Sequence, residues 1–70
     1  MEPHEQFAAN LRRQRERSKL SQEALGHTAN MHPTEISRLE RATREPRLST
    51  IVTLARALGV KPARLLDGID

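Results

Sequence analysis

The chain has 70 residues, room for one domain, 1–70, with a modest buried core. Its 36% hydrophobic and 30% charged residues fit a folded globular domain, not a disordered segment. Cysteine is absent, which excludes disulfides and thiolate metal sites. No apolar run nears the roughly 18 residues of a membrane span, and the opening MEPHEQF lacks the basic and apolar regions of a secretion signal. The formal net charge of +3 permits a polyanionic partner without requiring one.

Apolar spacing predicts five short helices and no strand. The first runs from about Glu5 to Ser18, with Phe7, Ala8 and Leu11 on a narrow apolar face and Arg12, Arg13, Arg15, Glu16 and Arg17 elsewhere. The residues of the basic run Arg12 to Lys19 point several ways, which suits a solvated surface. Ser21 is placed to cap the second helix, with Glu23 in its first turn. Pro33 opens the third helix, where its missing amide costs nothing, and forces His32 into an extended conformation. The polar stretch RATREPR, 41–47, leads to a fourth helix for which Ser49 is the expected cap. Ile51, Leu54, Ala55 and Leu58 form its stripe, and Gly59 stops it. Pro62 begins a fifth, carrying Leu65 and Leu66.

The stretch 21–41, SQEALGHTANMHPTEISRLER, has the logic of two helices joined by a sharp turn. Gly26 allows a close approach, and Asn30 tolerates a left-handed backbone better than any residue but glycine. The usual work of such a pair is reading double-stranded DNA through the major groove. Other chemistry lacks support. His4, His27 and His32 have no ligand spacing, so no metal or other cofactor is expected, and no triad or carboxylate pair suggests an enzyme. With Phe7 the one aromatic residue, there is no platform for stacking single-stranded bases.

LSQEAL at 20–25, ISRLER at 36–41, REPRL at 44–48 and LARALGV at 54–60 together resemble the lambda-repressor-like, Cro/XRE-type helix-turn-helix DNA-binding domains. The resemblance spans roughly Leu11 to Leu66 and implies an all-α, compact five-helix domain with the helix-turn-helix at helices 2 and 3. It implies that Gln22 holds a phosphate and that Pro33, Thr34, Glu35 and Arg38 form the face entering the major groove. It further implies a buried Arg15–Glu40 pair and a dimer made by the C-terminal helix, with Pro62, Leu65, Leu66 and Ile69 as candidates. Core packing is the alternative for Leu65 or Leu66. The chain departs from the family pattern at Ala42, where glycine is common after the third helix, at Asn30 in the turn, and at Gly26, where alanine is usual. Pro33 also replaces a long polar reader.

Individual residues carry readings of different kinds. Arg38 suits a bidentate contact to guanine O6 and N7, and Thr34 a thymine methyl or a base edge. Glu35 either accepts from cytosine N4 or simply favours a helix start. Arg41, Arg44 and Arg47 flank the reading helix as backbone clamps, and His32 is placed beside a phosphate. The expected function is a sequence-specific transcriptional regulator that binds double-stranded DNA, with helix 33–41 in the major groove, as a homodimer on a pseudo-palindrome. No membrane or small-molecule partner is expected, and the location is cytoplasmic, on the nucleoid. The competing classes are an antitoxin-type or other protein-interaction module and the DNA-binding part of a larger regulator.

Overall fold

The computed structural model describes all residues, 1–70. It contains five helices and no strand: α1 Pro3–Arg17, α2 Gln22–Ala29, α3 Pro33–Glu40, α4 Leu48–Leu58 and α5 Pro62–Leu65. The all-α expectation holds. None of the helices is long and apolar enough to cross a membrane.

Local chemistry sets most boundaries. α1 starts two residues before its expected Glu5, because Pro3 takes the first helical position and the Glu5 carboxylate accepts from the Glu2 amide at 2.7 Å. α1 ends at Arg17, within a residue of the expected Ser18, and Lys19, at φ 58°, turns the chain out of it. Ser21 caps α2 as expected, its hydroxyl accepting from the Ala24 amide at 3.0 Å. Asn30 closes α2 in the left-handed region, and the Met31 amide bonds back to the Gly26 carbonyl at 2.8 Å. Gly59 ends α4 with φ 70°, again as expected.

Ser49 is not the cap of α4. The helix begins at Leu48, and Arg47 is the residue at its cap. The extended Arg47 presents its carbonyl to the Ile51 amide at 3.0 Å, so Ser49 already lies inside the first turn.

One core joins the helices. Phe7 and Leu11 from α1 meet Leu25 and Ala29 from α2, Ile36 and Leu39 from α3, the Ile51, Leu54, Ala55 and Leu58 stripe of α4, and Leu65 from α5. α3 lies against α1 and α2, α4 against α2 and α5, and α5 closes back on α1. That last junction is polar at its centre. Asn10, fully buried in α1, donates from Nδ2 to the carbonyls of Leu65 and Asp67 at 3.0 and 2.8 Å. Its Oδ1 accepts from Gln6 Nε2 and Arg13 Nη2, so its amide is satisfied on both sides.

Leu65 has no exposed surface, which removes it from the expected dimer face. A leucine completing the core cannot also present its side chain to a second copy. Pro62 and Leu66 are exposed, and Ile69 is half-buried against the core.

Candidate nucleic-acid interface

The turn between α2 and α3 depends on a missing side chain. A Cβ on Gly26 would lie 2.5 Å from the Met31 carbonyl oxygen and 3.4 Å from the Pro33 nitrogen. Glycine therefore lets the connecting backbone close onto α2, which fixes where α3 begins. His32 completes that start. Its Nδ1 accepts from the Thr34 amide at 3.1 Å, and Pro33 occupies the first helical position. A ring accepting at Nδ1 carries its proton on Nε2, leaving an outward donor.

α3 is two-faced. Ile36 and Leu39 are buried in the core, while Thr34 and Arg38 are exposed one turn apart on the opposite side, with Glu35 partly exposed beside them. Eight residues make the helix about 12 Å long. Arg41, Arg44 and Arg47 are all exposed along the segment that leaves it. Arg41 folds back to the Ser37 carbonyl at 3.3 Å, and Arg47 makes no ion pair. A polar cleft of about 330 Å³ lies between the end of α3 and the start of α4, lined by Glu35, Arg44, Glu45, Arg47, Ser49 and Thr50.

Glu35, expected either to accept from cytosine N4 or to favour the helix start, has two basic neighbours. Its Oε1 is 3.6 Å from Arg38 Nη1 and 3.9 Å from Arg44 Nη1, so it faces two of the arginines expected to meet DNA. The Arg38 pair follows the i,i+3 spacing of the helix, whereas the Arg44 pair joins α3 to the connection after it and could not be read from that spacing.

Behind this face, a buried ion pair ties α1 to the end of α3. Arg15 donates from Nε and Nη2 to the two Glu40 oxygens at 2.6 and 3.0 Å, and from Nη1 to the Leu20 carbonyl at 2.8 Å. The side chains are only 12% and 4% exposed. The hydrogen bonds to Glu40 raise the Arg15 pKa above its ordinary value, outweighing the opposing effect of burial. Gln22 joins the network, donating from Nε2 to Glu40 Oε1 at 3.2 Å. An amide nitrogen has two hydrogens, so one remains for a phosphate.

Away from α3, the large apolar side chains open to solvent are Met1, Leu48 and Leu66. Leu66 and Ile69 border a mainly apolar groove of about 200 Å³ with Pro3, Phe7, Pro46 and Ile51. Leu48, 76% exposed at the start of α4, was not among the expected interface residues.

The sequence model for the helix-turn-helix domain matches residues 6–67. The chain belongs to the helix-turn-helix domain family. Control protein C.BamHI of Bacillus amyloliquefaciens is 45% identical over 51 residues, which are 73% of this chain and 63% of that protein. Control protein C.SmaI of Serratia marcescens is 39% identical over 66 residues, 94% of this chain and 79% of its own length. This helix-turn-helix domain also superposes on the restriction-modification controller protein C.AhdI from Aeromonas hydrophila, with a TM-score of 0.86 and 32% identity. That match covers 89% of this chain and 94% of the other. A hypothetical transcription factor, NHTF, from Neisseria gives a TM-score of 0.89 at 34% identity, covering 93% and 75% of the two chains.

Proposed function

We propose that this chain is a sequence-specific transcriptional regulator that binds double-stranded DNA and places α3 in the major groove. One observation carries the reading. Thr34, Glu35 and Arg38 stand outward on a helix whose other face, Ile36 and Leu39, is locked in the core. Arg38 reads guanine O6 and N7, and Thr34 meets a thymine methyl or a base edge. Gln22, His32 Nε2, Arg41, Arg44 and Arg47 hold phosphates on either side and fix the register. The relatives named as controllers and transcription factors support a regulator over an enzyme, and a cytoplasmic site of action belongs to the same proposal.

The dimensions support a homodimer as part of this proposal. The domain measures 30 × 23 × 21 Å and carries one reading helix. Successive major-groove half-sites lie about 34–36 Å apart, so two copies are needed to read both. Pro62, Leu66 and Ile69 remain the candidates for the shared face, with exposed Leu48 added. The kinship with restriction-modification controllers makes genes of such a system the first candidate targets.

Selection from a random duplex library at fixed salt tests this reading. A two-fold symmetric enriched motif is the expected result, and no enrichment over the starting pool would refute it. Replacing Arg47 by alanine should weaken selected and unselected duplexes alike and flatten the salt dependence of log K by about one unit. A loss confined to the selected duplex would take Arg47 off the backbone.

A further inference from the structure

Glu35 occupies the third position of α3, where an acid ordinarily bonds back to the amide at the helix cap. Glu5, at the same position of α1, does so, at 2.7 Å. Glu35 does not. Its carboxylate turns to Arg38 and Arg44 instead, with side chains 37%, 46% and 51% exposed and separations of 3.6 and 3.9 Å. Pairs this long and this wet are weak and exchange readily with other partners.

Resting on the DNA-binding reading above, we propose that Glu35 is a specificity-determining residue, an internal counterion that withholds Arg38 and Arg44 from duplexes of the wrong sequence. A random duplex offers these arginines mainly phosphate oxygens, and its affinity is set by how many are neutralised. Against that surface Glu35 repels the backbone and competes for both guanidinium groups. A matched duplex offers two exchanges at once. Guanine O6 and N7 take Arg38, and the amino group of a nearby cytosine N4 donates to the carboxylate that Arg38 leaves. Arg44 is then free for a phosphate. The favoured ligand is therefore a duplex presenting guanine acceptors and a cytosine donor within reach of one turn of α3. The carboxylate penalises every sequence and is compensated on that class alone.

The test compares wild type with Glu35→Gln on two probes, a duplex selected by wild type and a scrambled duplex of equal composition, titrated by fluorescence anisotropy from about 50 to 200 mM salt. For the scrambled duplex, Glu35→Gln should raise affinity roughly tenfold and steepen the salt slope by one to two units, as two cations reach phosphates. Affinity for the selected duplex should rise far less or fall, so discrimination drops about tenfold. In an Arg38→Ala, Arg44→Ala background the same substitution should leave the scrambled-duplex slope unchanged. Glu35 is partly exposed and outside the core, so a melting temperature matching wild type checks that the fold is intact. Equal changes on both duplexes, or an unchanged slope, would overturn the proposal while leaving DNA binding in place. Failure of wild type to prefer any duplex would overturn the DNA-binding reading itself.

Discussion

Replacing Arg15 by leucine should come close to unfolding this domain. The substitution leaves Glu40, 4% exposed, with Gln22 Nε2 at 3.2 Å as its remaining side-chain partner. Stranding a buried charge costs about 3–5 kcal/mol. A domain of 70 residues has about 4–10 kcal/mol in total, at roughly 0.05–0.15 per residue. Each kcal/mol moves the midpoint of a domain this size by about 4–8 °C, so the fall should exceed about 12 °C. Glu40→Gln should be milder, about 2 kcal/mol, the worth of hydrogen bonds to a charged group. Arg15 then keeps the Leu20 carbonyl at 2.8 Å and some contact with water. Arg15→Leu with Glu40→Leu should recover part of the loss, since neither charge is left alone. Circular dichroism melts of the three variants decide the matter. If both single variants stay within about 1 kcal/mol of wild type, the pair behaves as a solvated surface contact and the reasoning fails. The sign of the pH dependence is fixed too. A raised arginine pKa gives a contribution fully present below the ordinary arginine value and lost only above it. Arg15 should therefore contribute no stability loss between about pH 6 and 9.

Three further substitutions test local claims. Ala42 sits at φ 60°, where an L-residue is disfavoured by about 1–2 kcal/mol. Ala42→Gly should stabilise by about 0.5–1 kcal/mol after the extra freedom of unfolded glycine is counted, read as a higher melting temperature. Gly26→Ala should destabilise by about 1–3 kcal/mol despite the better helix former, because the new Cβ meets the Met31 backbone oxygen at 2.5 Å; a rise in denaturant midpoint would contradict this. Asn10→Ala should cost about 1–3 kcal/mol by orphaning the Leu65 and Asp67 carbonyls, and speed amide exchange in residues 65–69 over the rest of the chain.

What the sequence disclosed was mainly local. The Ser21 cap, the Asn30 turn and the Gly59 stop each follow from one residue's chemistry, and all three stand in the structure. The Arg15–Glu40 pair came through family likeness, because 25 residues separate the partners and no spacing rule joins them. Tertiary packing decided the rest. Leu65 and Leu66 are equivalent in sequence, yet the position of α5 against α1 and α4 buries the first and leaves the second 39% exposed. Nothing in the sequence singles out Asn10, and only the returning C-terminal segment makes its amide a clamp. Ala42 marked a departure from the family at the end of α3, and its positive φ shows that the chain keeps the turn and bears the strain. Glu35 was legible as an acid on the reading face. Its tie to Arg44 depends on how the connection after α3 folds back.

The exposed face of α3 is where the whole account can be tested most directly, by repeating the random-duplex selection with Arg38→Ala. The variant should enrich the wild-type motif with one guanine position per half-site relaxed and every other position retained. An unchanged motif at the same enrichment would mean that Arg38 reads no base, and the assignment of α3 as the reading helix would have to be abandoned.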